Sequence, residues 1–178
     1  MSRSKPITTT SQEQTIALGQ VLGSHVQAGD IIVLSGDLGA GKTQFTKGVA
    51  RALGISSDIT SPTFNILMVY DNGRIPLYHF DLYRLENPDE LEDTGIFDVL
   101  GAEGVCVIEW GERFADELGD ERLDLVFRRR DSEVLSANQT DCGKEPVREL
   151  VFYAHGERSE HLLETLFVSL DELACNPQ

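Results

Sequence analysis

The sequence predicts an α/β domain with a mixed, mainly parallel central sheet, flanked by helices and finished by antiparallel edge strands. Three observations carry that prediction. The apolar run Ile31–Ser35 passes straight into a glycine-rich turn and then into a helix-period stripe. A second uninterrupted run, Val105–Glu109, has the composition of a strand covered on both faces. Two later β-rich runs, "LDLVFR" and "RELVFYA", precede a last stretch of helical periodicity.

Taken in order, Ser11 and Gln14 have capping-box spacing, and Leu18, Leu22 and Val26 recur at helical period, which predicts a helix over residues 12–28. Phe45, Val49 and Leu53 form one stripe of a helix from Gly41 to Leu53, with Gly54 placed to end it in the left-handed region. Two β-rich runs flank Asp71-Asn72-Gly73, a tight-turn signal. Asn87-Pro88-Asp89-Glu90 supplies a cap, a first-turn proline and a capping acid, which predicts a short acidic helix. The polar stretch 129–147 predicts a long, mobile hairpin insertion. Leu162, Leu163, Leu166, Phe167 and Leu170 predict a C-terminal helix over 159–173. At 178 residues, one domain spanning 1–178 is expected.

Thirty acidic residues against fifteen basic ones give a formal net charge of −15. Such a chain is repelled by a phosphate backbone, and its one basic run is Arg128-Arg129-Arg130, so a basic protein partner is expected rather than direct contact with nucleic acid. No apolar run approaches the roughly 18 residues of a membrane span, and the N-terminus lacks the apolar region of a secretory signal. Cys106, Cys142 and Cys175 are odd in number and far apart, without a C-x-x-C pair. That argues against disulfides and zinc and for a cytoplasmic protein.

The turn after the first buried run reads Gly36-x-x-x-x-Gly41-Lys42-Thr43, a P-loop, so the domain is expected to resemble nucleoside triphosphatases of that class. Each residue type has a reason. Glycines let the amides from Asp37 through Leu38, Gly39, Ala40 and Gly41 curl around phosphate oxygens with no Cβ in the way. The helix that follows offers unpaired N–H groups and the positive end of its dipole. Lys42 adds a point charge, and the Thr43 hydroxyl suits Mg²⁺. Chance would produce the pattern in about one in a hundred chains of this length, and here strand and helix flank it as the chemistry requires.

Glu109 closes "VCVIE" as a Walker-B acid closes its strand, where it could hold Mg²⁺ or polarise water; a solvated terminal acid is the bland alternative. Asp81, in "HFDLYR", is a second candidate for Mg²⁺, or else a turn aspartate. Thr63, in "SPTF", could sense the γ-phosphate as switch loops do, or simply occupy a turn. Trp110 could stack beside a nucleotide or pack under the sheet. His79 reads as structural rather than as a base, and Cys106 as a small core residue. The string Asn138-Gln139-Thr140-Asp141 lacks the lysine of a guanine-specificity motif.

The blocks "GDLGAGKTQFTKGVARALGI", "SPTFNI", "HFDLYRL" and "VIEWGER" occur in one order and together closely resemble the TsaE family, over about residues 9–128. The resemblance implies a P-loop α/β domain that binds and hydrolyses ATP with Mg²⁺ within a complex with the TsaB and TsaD proteins. Those partners place a threonylcarbamoyl group on the adenosine beside the anticodon of certain tRNAs, so tRNA contact is indirect. It implies phosphate and metal roles for Lys42 and Thr43 and a switch role for Thr63. Asp81 matches the family's essential aspartate, and Glu109 with Trp110 its Glu-Trp pair. Thr9, Thr10 and Ser11 match a turn beside the nucleotide. Two other readings stay open on the residues alone. A small-molecule or nucleoside kinase would need an arginine-rich lid, which the sequence does not display. A non-catalytic adaptor would work with hydrolysis abolished.

Overall fold

The computed structural model describes residues 2–62, 64–130 and 146–175. The chain runs β1 (Ser2–Arg3), β2 (Ile7–Thr9), α1 (Gln12–Gly23), β3 (Ile31–Ser35), α2 (Lys42–Ala52), β4 (Leu67–Tyr70) and β5 (Leu77–Asp81). A 3-10 helix (Pro88–Thr94), α3 (Ile96–Val99), β6 (Val105–Glu109) and a second 3-10 helix (Gly111–Phe114) follow. The chain then makes β7 (Arg122–Arg130), β8 (Val147–His155) and α4 (Glu157–Cys175). The eight strands form one sheet in the order β1-β8-β7-β3-β6-β5-β4, with β2 also on β8.

The centre of this sheet is parallel: β7, β3, β6 and β5 are joined by parallel ladders. Antiparallel β4 closes one side, and β8 with β1 and β2 closes the other. The mixed, mainly parallel sheet expected from the sequence is what the chain builds. The two buried-type runs became β3 and β6, side by side at the middle, because only central strands need apolar residues on both faces. One face carries α1, α2 and α4, with Phe45 of α2 packed over Leu34, Leu125, Phe152 and their neighbours. The other is covered by the segment from Leu82 to Ile96 and by Phe114 and Leu118, and includes Cys106, a buried core thiol as expected.

Helices α1 and α2 cross at glycines. A Cβ on Gly48 would lie 2.0 Å from the Ile16 carbonyl oxygen, and one on Gly19 would lie 2.2 Å from that of Phe45. The backbones touch there, which fixes α2, and the loop at its start, against α1.

Several boundaries differ from expectation. Helix α1 stops at Gly23, short of residue 28, because the Arg74 guanidinium takes the carbonyls of Gly23 and Val26 at 3.0 and 2.6 Å. Val26 is still buried, so apolar spacing outlasts the helix. The acidic segment after Asn87 keeps its capping box but winds as a 3-10 helix, ended by Gly95 in the left-handed region. Strands β7 and β8 pair as far as Arg130 opposite Val147, so the connection is shorter than 129–147, and residues 131–145 lie outside the described residues. Helix α4 begins before residue 159 because the Glu121 carboxylate accepts the main-chain N–H groups of Glu157 and Arg158. Strands β1 and β2 had no counterpart in the sequence reading.

Among the described residues no helix is long and apolar enough to cross a membrane.

Candidate functional site

Parallel strands deliver their C-terminal ends to one edge of the sheet. There Leu34 of β3 and Asp81 of β5 both stand in register with Glu109 of β6. The chain leaves β3 through Gly36, at φ 136°, where a Cβ would lie 2.5 Å from the Phe127 carbonyl oxygen; only glycine fits. The loop ends at Gly41, at φ 111°, the N-cap of α2.

Lys42 is buried, and its Nζ donates to the carbonyls of Gly36 and Asp37 at 2.6 and 3.0 Å. It also sits 3.9 Å from the centre of the Trp110 ring. Burial holds the Lys42 ammonium below its ordinary pKa, opposed by the carboxylates of Glu109, Glu112, Asp81 and Asp37. A buried cation beside this many acids is poised to take an anion that brings its own hydrogen-bond acceptors.

Thr43 donates from Oγ1 to Glu109 Oε1 at 2.9 Å. The same carboxylate oxygen accepts a hydrogen bond from His79 Nε2, also at 2.9 Å. Asp81, 4% exposed, accepts from the Ser61 hydroxyl at 2.6 Å and from the Tyr83 main-chain N–H at 3.1 Å. Trp110 adopts left-handed backbone at φ 63°, which turns its ring over Lys42 and against Tyr83, 5.0 Å away between centroids.

A cavity of about 360 Å³ runs along the loop, walled by Leu38–Thr43, Gln12, Ser61, Glu109, Trp110 and Arg148. A larger one, about 460 Å³, lies at the opposite edge of the sheet, but Asp30, Arg158, Glu121 and Arg122 there are engaged in bonds that hold the fold. There Asp30 is paired with Arg158, and Glu121 with the start of α4. The loop cavity is the one with convergent donors, carboxylates and a helix N-terminus.

The structure thus brings together Lys42, Thr43, Glu109, Asp81 and Trp110. It places Thr10 and Ser11 at the start of α1, spent largely on the cap. Ser11 Oγ accepts the Gln14 N–H, and the Gln14 side chain accepts from Thr10. Their turn reaches the loop through Thr15, whose Oγ1 meets that of Thr9 and whose methyl faces Gly41. Thr63 lies outside the described residues. Two residues escaped the sequence reading. Arg148, 4% exposed, lies against Gly41, and its one sequence signal is a cation at an inward position of a β run. His79 was read as structural, and it grips Glu109.

The hard oxygens of Thr43 and Glu109, 2.9 Å apart beside a phosphate-type loop, suit Mg²⁺.

Residues 9–138 match the family described as threonylcarbamoyl adenosine biosynthesis protein TsaE. The chain belongs to the TsaE family. It is 40% identical over 158 residues to the tRNA threonylcarbamoyladenosine biosynthesis protein TsaE of Bacillus subtilis, covering 89% of this chain and 90% of that one. It is 47% identical over 118 residues to the protein of the same description from Treponema pallidum, covering 66% and 87%. The crystal structure of Bacillus subtilis YdiB superposes with a TM-score of 0.74 at 34% identity, covering 94% of this chain and 96% of the other. The TsaE family acts in tRNA threonylcarbamoyladenosine biosynthesis, and its region of similarity here contains the P-loop, Asp81 and the Glu109-Trp110 pair.

Proposed function

We propose that the protein is a Mg²⁺-dependent ATPase of the cytoplasm, required to form the threonylcarbamoyl modification on the adenosine adjacent to the anticodon. It acts in a complex with the TsaB and TsaD proteins, which carry the tRNA contact. The observation that carries the ATPase reading is the hydrogen bond between Thr43, at the start of α2, and Glu109, at the end of β6. It joins the phosphate-type loop to a strand end that supplies a carboxylate for a metal, with Asp81 in register beside it as the second candidate. The loop amides from Asp37 to Thr43 and the Lys42 ammonium hold the phosphates, with the Arg148 guanidinium on the same wall. Thr43 and Glu109 hold Mg²⁺, which neutralises phosphate charge when bound. Asp81, fixed by Ser61 and Tyr83, and Glu109 are the two groups placed to orient water.

Partner dependence is supported by the rim of the site. Leu38 and Phe64 are 80% and 84% exposed, and Tyr83 is half exposed, on a chain of net charge −15. Leu38 lines the loop cavity and Tyr83 packs on Trp110 at its wall, and exposed apolar side chains there fit a protein that covers the site.

The test is phosphate release from ATP by the isolated protein and by its mixture with TsaB and TsaD. Weak hydrolysis alone, stimulation by the partners and loss of both in Lys42→Ala are expected. Equal hydrolysis by Lys42→Ala and the wild type would overturn the reading. Phosphoryl transfer to a metabolite without phosphate release would favour the kinase.

A further inference from the structure

We infer that His79 is the positioning residue of the metal carboxylate: its imidazole holds Glu109 in the orientation in which that carboxylate receives the divalent cation. The inference rests on the function proposed above and names a residue to which that reading gave no task.

His79 sits on β5, two residues before Asp81, so both side chains leave the same face of the sheet. It has no exposed surface. Its Nε2 lies 2.9 Å from Glu109 Oε1. An ionised carboxylate only accepts, so Nε2 carries the proton and donates it. The other ring nitrogen, Nδ1, is buried with no hydrogen-bond partner, which suits a bare lone pair and not an N–H. The ring is therefore spent on a single task.

Glu109 Oε1 accepts two bonds, from Thr43 and from His79. The first must loosen when the Thr43 hydroxyl turns a lone pair to a cation. The second is independent of that event, and it fixes the side chain while the metal ligands change partners. The choice of residue has an electrostatic reason. A lysine or arginine at position 79 would hold the carboxylate as firmly but would add a positive charge beside the cation. An imidazole with one proton supplies the hydrogen bond and leaves the negative charge of Glu109 undiminished. Metal sites commonly use a carboxylate to orient a histidine ligand. Here the order is reversed, with a histidine orienting a carboxylate.

The experiment measures Mn²⁺ bound to the protein–ADP complex by electron paramagnetic resonance, with metal-free ADP affinity measured alongside by calorimetry. Wild type is compared with His79→Leu, which removes the donor, and His79→Gln, which retains an amide N–H near the position of Nε2. His79→Leu is expected to weaken Mn²⁺ binding by about tenfold or more while metal-free ADP affinity stays unchanged. His79→Gln should recover most of the loss. Undiminished Mn²⁺ binding in His79→Leu would overturn the inference. So would equal losses in both variants, or loss of metal-free ADP binding with metal binding, since those mark a role in packing alone. Failure of the wild type to bind ADP would instead sink the ATPase reading, and this inference with it.

Discussion

The Lys42 ammonium lies 3.9 Å from the centre of the Trp110 ring and donates to two carbonyls of its own loop. A polyphosphate entering the cavity competes with all three contacts. Trp110 is the single tryptophan of the chain, so its emission reports on the surroundings of Lys42. Titration with ADP is expected to change the emission of the wild type. Lys42→Met should show an altered starting emission and weaken ADP binding by about ten- to a hundredfold, the worth of charge-assisted hydrogen bonds.

The same lysine sets a pH dependence. Burial depresses its pKa, and in the proposed site it is the ammonium that meets the phosphates. Nucleotide affinity is therefore expected to be full at neutral pH and to fall as pH rises through a value below that of an ordinary lysine. Bound phosphate favours the charged form, so binding takes up protons in that window. Calorimetry in buffers of different ionisation enthalpy checks the uptake, and Lys42→Arg should abolish it, because arginine stays charged.

Arg148 reaches the loop from β8, on the face that carries α1 and α2, and its Cδ and Nε would each lie 3.3 Å from a Cβ at Gly41. Arg148→Leu is expected to lower ADP affinity about tenfold. Arg148→Lys should restore little of it, because a point charge cannot replace a planar fork. Equilibrium binding of both variants decides.

Gly48→Ala tests the helix crossing. A methyl group there meets the Ile16 carbonyl oxygen and the Gln20 nitrogen at 2.0 and 2.7 Å. Overpacking should cost about 1–3 kcal/mol, more than the roughly 1 kcal/mol that alanine gains over glycine in a helix. A thermal melt is expected to show a midpoint several degrees lower.

What could be read in advance follows from where the signal resides. The P-loop pattern is contiguous, with Gly36, Gly41, Lys42 and Thr43 at fixed spacing, so the loop was legible as a local signal. Glu109 was legible because it interrupts an apolar run at its end. The left-handed Gly54 and the capping pair Asn87 and Glu90 are local signals, and both hold. Arg148 was not legible because its meaning depends on β8 lying beside β2, with Arg148 opposite Thr9, and no local pattern encodes that long-range register. Strands β1 and β2 are two and three residues long, too short for periodicity to declare them. Gly19 and Gly48 look like weak points of helices until the neighbouring helix is known. The boundary at Gly23 was lost for a similar reason, since Arg74, distant in sequence, takes the final carbonyls.

The contact of α1 and α2 through bare backbone has a mechanical consequence. Two helices seated that closely cannot slide or rotate without collision, so this half of the molecule behaves as an anvil. If the site turns over nucleotide as proposed, the accompanying rearrangement is expected on the flank of Ser61, Ile66 and Tyr83 rather than at this crossing. A docked protein would sense the nucleotide state from that flank, and the helical pair would supply the fixed frame.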